Sequence, residues 1–483
     1  MKPSRRRARW DVALARFAVR RYMLACAIVL AIAAGNIFLG LSRQPVNDMD
    51  EARYGVSAWE MAQSHDFLVT TYAGRPEYWN LKPPLGYWLI ALSFRLLGPT
   101  PFALRLPSAL AALATVGVML AAGRRRIGRR AALLAALMFA SGFGFLSHHG
   151  ARSGDLDAAL TLILVAAAFS IPGLGRSPLR VVLFGGLMAI GFLLKSFAIL
   201  PILAIAGLYL LWTGSWRKLR PLPVVAAGLV FAAPIAVWAA LRWHADGSPV
   251  FLERMVQEDL FARSLQVIDK VTYEPYGYLI GIFDRFAPWP LLALAGLVAA
   301  WATRRRRTPF RAVRTARPTQ TLLLLWALLP LLLFTLVKTQ HHWYLDPTYP
   351  AWAMIAAGAI LELQRRSLPA RRGLILAACA LVPLAGCEAR LATRIVRSID
   401  RALPQRTLAS LAERRAELGP RLRTGPLRHS ERFILEVMDG FEVDEADAPE
   451  KTPAEWTRLL AEINDPARTH RAMLAAPARP RRR

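Results

Sequence analysis

Along most of this chain apolar residues follow one another in long blocks with few charges, instead of alternating with polar ones at the period of a strand or of a half-buried helix. Crossing about 30 Å of hydrocarbon takes roughly 17 to 25 helical residues. Blocks of about that length fall near 22–41, 101–121, 131–147, 156–172, 179–194, 197–213, 222–241, 287–302, 320–337, 348–363 and 373–389, which predicts about eleven transmembrane helices. Lys195 separates the sixth block from the one before it. The fold class expected is an all-α polytopic membrane protein.

Three stretches, 42–100, 242–286 and 390–483, break the pattern. In the first, residues 52–63 carry apolar positions at helical spacing, and 84–97 is apolar and aromatic but short for a span, so both are expected as interfacial or re-entrant helices. The third is polar and rich in Arg and Glu, with an amphipathic run over 408–418, and its end at 477–483 is expected to be disordered. The chain then divides into a membrane domain over 1–389 and a small extracytoplasmic domain or tail over 390–483.

Composition agrees, since 55% of the 483 residues are hydrophobic. A net charge of +29 would suit a nucleic-acid binder if the basic residues formed a groove, but they follow the spans instead. They gather in Arg5, Arg6, Arg7 and Arg9 and in 124–130, 217–220, 304–317 and 365–372. With the N-terminus cytoplasmic, every one of these falls on the cytoplasmic side. The three long stretches then fall outside, and an odd helix count puts the C-terminus outside with them. The charge serves orientation and attraction to anionic head groups, and nucleic acid is not an expected partner. The first span follows a basic segment but is too long for a signal peptide and has no small-residue cleavage site before Asp48, so it reads as a retained helix. Cys26, Cys379 and Cys387 show no ligand spacing and read as small buried residues.

Ionisable residues at an outer membrane face are the places to look for chemistry. Asp48, Asp50 and Glu51 open the first outer helix, where carboxylates can simply satisfy free amides. A second acidic pair, Asp155 and Asp157, faces the same side by topology. Two such groups suit a divalent cation, expected at Asp50 and Asp157, or a general base acting on a hydroxyl. Lys82, Arg152, Lys195, Arg254, Arg263 and Lys338 lie on that side too and suit phosphate, although cations at span ends also snorkel to head groups. Lys82 differs because Pro83 and Pro84 fix the backbone after it. His341 and His342, with Trp343 and Tyr344, follow Lys338; neighbouring side chains diverge, which favours substrate contact or interface anchoring over metal ligation.

The run Asp50-Glu-Ala-Arg-Tyr-Gly-Val-Ser-Ala-Trp-Glu-Met61, followed by Lys82-Pro-Pro-Leu-Gly-Tyr-Trp88, resembles the first outer loop of glycosyltransferase family 39. That family holds the bacterial lipid A aminoarabinose transferases and, more distantly, the protein O-mannosyltransferases. Further matches follow in order at 151–157, at 191–195 with Pro201, at 287–289, and from 337–344 to 349–350, so the resemblance spans roughly 20–390. It implies a GT-C fold, no nucleotide cofactor, and transfer of a sugar from a polyprenyl-phosphate carrier to a lipid, envelope glycan or protein on the outer face of the inner membrane. Carried over, the family's acidic pair falls on Asp50 and Glu51 and its second-loop carboxylate on Asp157. Its Lys-Pro lysine falls on Lys82, and in the mechanism that the resemblance implies Lys82, with Arg263 or Lys338, binds the donor phosphate and stabilises it as it departs. Asp48, Asp155, Arg53, Tyr54, His341, His342 and Tyr344 become substrate or metal candidates. Leu81 stands where the aminoarabinose transferases have a glutamate, and Arg263 is displaced by one residue from the family's pattern.

A transporter or flippase for a lipid-linked substrate is the second reading. It predicts ionisable groups near helix midpoints and paired halves, whereas here they sit at span ends and no halves repeat. A scaffold acting through the C-terminal segment would leave Asp50, Lys82 and Asp157 on one side without a reason.

Overall fold

All eleven apolar blocks are largely helical in the computed structural model, the one at 131–147 with an interruption at Ser141-Gly142; the structure describes residues 5–147, 149–267, 273–305, 318–402, 405, 408–424 and 427–445. In chain order the principal helices are α1 (Arg5–Phe38), α2 (Asp50–Ser64), α3 (Leu85–Leu97), α4 (Pro101–Arg126), α5 (Arg129–Ala140), α6 (Asp157–Ser170) and α7 (Pro178–Lys195). They continue as α8 (Pro201–Thr213), α9 (Pro221–Asp246), α10 (Gly277–Phe286), α11 (Trp289–Arg305), α12 (Pro318–Leu336), α13 (Tyr349–Arg366) and α14 (Pro369–Ile399). α4, α7, α8 and α9 begin on proline, whose missing N–H is one the first turn would leave unpaired anyway.

Seven of the helices are long and apolar enough to cross a membrane, and the count rises to eight if α10 and α11, bent by 108° at their junction, form one span. The chain is a multi-pass membrane protein. α5 has 12 residues and α8 has 13, and α13 carries Glu362, Arg365 and Arg366 in its last turns, so these three do not meet that standard by themselves. The break expected at Lys195 is present, since α7 ends there and a short turn, Ser196–Ile199, leads to α8. The two helices expected in the first outer stretch are α2 and α3.

α4, α5, α6 and α13 form the centre through buried alanines, among them Ala112, Ala135, Ala167 and Ala356. Small side chains let membrane helices approach closely enough for dispersion contacts to hold them. α7 and α9 cross more tightly still, since a Cβ on Gly185 would come 2.3 Å from the carbonyl oxygen of Ala227.

The helices give the bundle two chemically different ends. α4 starts beside Glu51 and, at about 1.5 Å per residue over its 26 residues, carries Arg124, Arg125 and Arg126 roughly 39 Å away. Arg126 there donates to the carbonyl of Phe169 at 3.1 Å, which places the C-terminus of α6 at the basic end and Asp157 at the other. α14 runs without a break through residue 389. Beyond it a parallel strand pair, Arg421–Thr424 with Glu442–Glu445, and the buried side chains of Ile434, Leu435 and Phe441 make a small separate core. The basic run 306–317 and the terminus at 477–483 lie outside the described residues, as do the side chains of Arg5, Arg6, Arg7 and Arg9.

Candidate active site

α2 begins abruptly because Met49 takes a left-handed φ of 66°, and Asp50 and Glu51 fill its first turn, where the helix dipole favours negative charge. The two carboxylates then differ completely. Glu51 is 1% exposed and accepts from Arg105 at 2.6 and 3.2 Å, from both the backbone N–H and side-chain amide of Asn47 at 2.7 Å, and from the Gly154 N–H at 2.9 Å. Burial opposes its ionisation, but Arg105 and these amides outweigh that and hold the carboxyl below the usual range. Arg105 donates its other protons to the carbonyls of Leu41, Gln44 and Pro45. Oε1 of Glu51 therefore ties the first outer loop to Gly154, while Oε2 ties the helix start to Asn47. Asp50 keeps 33% of its side chain exposed.

The second acidic pair stands on the loop between a helical turn, Phe143–Leu146, and α6. Arg152 anchors that loop by donating to the carbonyls of Asn36, Ile37 and Leu39 at 2.7, 2.8 and 2.8 Å, which satisfies the open C-terminal end of α1. It caps a helix and lies buried, away from any phosphate role. His149, itself at φ 65°, brings its Nδ1 to 3.3 Å from Asp155, 3.7 Å from Asp157 and 3.9 Å from Asp50. Lys195 Nζ lies 2.5 Å from the Asp157 carboxylate. Burial works against a charged His149, yet Asp155, Asp157 and Asp50 together raise its pKa. Burial pushes the Asp155 carboxyl up to about 7, against the pull of His149 and with repulsion from Asp50 and Glu51. Ligand atoms of Asp50, His149 and Asp155 all lie within 4.8 Å of one another. Asp157, expected to share a cation with Asp50, is engaged by Lys195 and His149.

A second cluster adjoins the first through consecutive residues. Ser196, next to Lys195, donates to Asp259 at 3.1 Å; the same carboxylate pairs with Lys82 and, at 3.2 Å, with Arg263. Burial lowers the Lys82 pKa, as do Arg263 and Lys195, while Asp259 opposes them. Burial raises the Tyr344 pKa, against the pull of the neighbouring Arg263. The N–H groups of Lys338 and Thr339 donate to the carbonyls of Ser264 and Arg263 at 3.1 and 3.0 Å, which fixes Arg263 beside the 338–344 segment. Lys338 sends its own ammonium over the ring of Tyr273, 4.1 Å from the centroid. Trp343 stacks on His149 at 3.6 Å and on His341 at 4.4 Å between centroids, and His342 meets it edge-on at 4.7 Å.

The remaining candidates face elsewhere. Asp48 accepts from the Ser430 N–H at 2.9 Å. Arg53 pairs with Glu77 and lies over the rings of Tyr72 and Trp79, at 4.3 and 4.5 Å. Tyr54 is buried against Tyr87, with 5.3 Å between ring centroids. Sequence reasoning missed His149 and Asp259 as site residues, although each left a signal. His149 stands just before the Asp-Leu-Asp run, and Asp259 precedes Arg263 by one helical turn.

Two chemical capacities meet here. A partly exposed carboxylate among other acids and an imidazole can take a proton from a hydroxyl. A lysine and an arginine fixed on one carboxylate can receive the oxygens of a phosphate.

The sequence profile of the dolichyl-phosphate-mannose-protein mannosyltransferase family matches residues 81–238. The undecaprenyl phosphate-alpha-4-amino-4-deoxy-L-arabinose arabinosyl transferase of Aeromonas salmonicida is 31% identical over 343 residues, 67% of this chain and 58% of that one. The enzyme of the same name from Pseudomonas aeruginosa is 29% identical over 358 residues, 70% of this chain and 60% of its own. The chain thus spans less than two thirds of the length of these curated relatives. Among solved structures, ArnT from Cupriavidus metallidurans bound to undecaprenyl phosphate superposes with a TM-score of 0.66 at 21% identity, covering 92% of this chain and 88% of that one. The archaeal oligosaccharyltransferase AglB of Archaeoglobus fulgidus gives 0.53 at 12% identity, covering 90% and 62%. Residues 81–238 thus match the profile of that mannosyltransferase family, and the chain shares the GT-C fold of these structures.

Proposed function

We propose that the protein transfers a sugar from a polyprenyl-phosphate donor to a lipid, envelope-glycan or protein acceptor on the outer face of the inner membrane. The observation that carries this reading is the joining of the Asp50 cluster to the Lys82–Asp259–Arg263 cluster through Lys195 and Ser196, at the end of the bundle opposite the basic loops. The named relatives favour a pentose, such as an aminoarabinose, and a lipid acceptor.

In the reaction an acceptor oxygen attacks the anomeric carbon of the sugar. The bond from that carbon to the carrier's phosphate oxygen breaks, the acceptor proton passes to Asp50, and the phosphate leaves with its electron pair. Lys82 and Arg263 receive the charge that develops on the leaving phosphate, with Asp259 holding both. Asp157 and His149 keep Lys195 and Asp50 in place. Glu51 acts only through structure, and Lys338 takes no step. A one-step displacement inverts the anomeric configuration.

The basic end faces the cytoplasm under the positive-inside rule, which places the site, residues 390–483 and the C-terminus outside. With α5, α8 and α13 counted as spans beside the eight, the total is eleven. Residues 1–389 form the membrane-embedded transferase and 390–483 the extracytoplasmic unit.

Asp50, His149 and Asp155 are the residues that would hold a divalent cation. Two carboxylates and an imidazole are a suitable donor set, and Asp155 Oδ1 is buried without a hydrogen bond. Such an ion would supply a Lewis acid for an anionic oxygen. Calorimetric binding of Mn²⁺ or Zn²⁺ alone, expected in the wild type and absent in Asp155→Asn, tests the assignment.

The function itself is tested with purified protein, a panel of radiolabelled polyprenyl-phosphate sugars and a membrane lipid extract. Label is expected to enter an acceptor with inverted anomeric configuration by NMR. Retention would overturn the one-step mechanism, and failure with every donor, together with translocation of the donor across vesicles, would support the flippase instead.

A further inference from the structure

Residues 40–55 carry Asp48, Asp50 and Glu51, and the C-terminal segment grips them at successive points. Ile395 and Ile399 of α14 lie against Gly40. The side chain of Gln405 bonds both backbone groups of Val46, accepting from its N–H and donating to its carbonyl, each at 2.8 Å. The carboxylate of Asp48 accepts the Ser430 N–H and so caps the helical turn His429–Arg432. His429 meets the Tyr72 hydroxyl at 2.6 Å and Arg53 at 3.4 Å. The ring of Phe433, fully buried, fills the space where Gly55 lacks a side chain: a Cβ there would lie 2.5 Å from its Cε2. That ring also packs on Phe94, with centroids 6.2 Å apart. Met49 at the α2 N-cap makes no side-chain cap bond, so besides the anchoring of Glu51 by Arg105, Asn47 and Gly154 these C-terminal contacts are what hold the helix start.

We infer that the C-terminal segment is a clasp on residues 46–55, with Gln405 and Phe433 as positioning residues that set where Asp50 stands. Two hydrogen bonds fix the chain just before Asp50 and one ring locks the helix just after it, so the approach of Asp50 to His149 depends on both. The inference rests on the transferase reading only for its kinetic consequence.

Hydrogen exchange of the full-length protein in detergent reads the clasp directly. Phe433→Ala is expected to speed amide exchange over 46–55 by more than over α4, α5 and α6 at the centre of the bundle. It is also expected to lower kcat by about 100-fold, the scale for a misplacement of about 1 Å, with the donor KM within about twofold because the Lys82 cluster is untouched. Phe433→Leu should restore most of the rate. Gly55→Ala, which pushes the ring out, should reproduce the loss and add little in the Phe433→Ala background. If Phe433→Ala does not fold, Gln405→Ala carries the same test. Unchanged exchange over 46–55, or faster exchange with kcat unaltered, overturns the inference. A wild type that transfers nothing would instead count against the transferase reading, and exchange alone would then decide the clasp.

Discussion

Asp50→Asn is expected to reduce sugar transfer by about 10²- to 10⁴-fold, the usual contribution of a positioned general base, in a protein that folds as the wild type does. Of the five acidic candidates in the first outer stretch and the loop before α6, Asp50 is the one that combines exposure with a place beside His149. Glu51, Asp155 and Asp157 are almost fully enclosed, and Asp48 is bound to Ser430. Asn keeps the size of the side chain and loses the negative charge at the α2 N-terminus, which costs about 0.3 to 1 kcal/mol at an exposed position. Folding should therefore survive while proton acceptance is lost. The loss should appear in kcat, since Asp50 does not touch the Lys82–Asp259–Arg263 cluster that would hold the donor phosphate. Transfer within about twofold of the wild type in the radiolabel assay would remove Asp50 from the chemistry.

How much of this was legible in the sequence follows from the range of each interaction. In a bilayer every backbone polar group must bond within its own helix, so long apolar blocks identify helices reliably, and all eleven expected blocks are largely helical. The number of full spans is less legible. Ser141-Gly142 ends α5 early, and the proline at 201 shortens α8. The acidic candidates showed themselves because Asp-Glu and Asp-X-Asp runs at span ends are costly and short-range. Their separate fates did not. Whether Glu51 is a reactive acid or half of a structural pair depends on Arg105, 54 residues away, where an arginine in the first turn of a span reads as a snorkelling cation. Arg152 misled in the same way, because its partners are backbone carbonyls more than a hundred residues earlier. The grip of the C-terminal segment was invisible for the same reason. Asp48 and Ser430 are 382 residues apart, and neither Gly55 nor Phe433 carries a motif.

Arg105→Met should destabilise the protein by about 3 to 5 kcal/mol, the cost of leaving one member of a buried ion pair uncompensated. Arg105 is wholly buried and holds Glu51 together with three carbonyls, those of Leu41, Gln44 and Pro45. Methionine fills much of the same volume but leaves an enclosed carboxylate and three acceptors with no donor from that side chain. The effect should appear as a large drop in the thermal midpoint in detergent and in the yield of monodisperse protein. Adding Glu51→Gln to Arg105→Met should recover part of the loss, because a neutral amide removes the stranded charge while its one oxygen still accepts either from Asn47, as Oε2 does, or from Gly154, as Oε1 does. That recovery separates the two roles open to Glu51. If it is structural, the double variant regains stability and a share of transfer in proportion to the folded fraction. If it is a reacting acid, the double variant regains stability with no transfer at all, and the assignment of Glu51 to structure would be wrong.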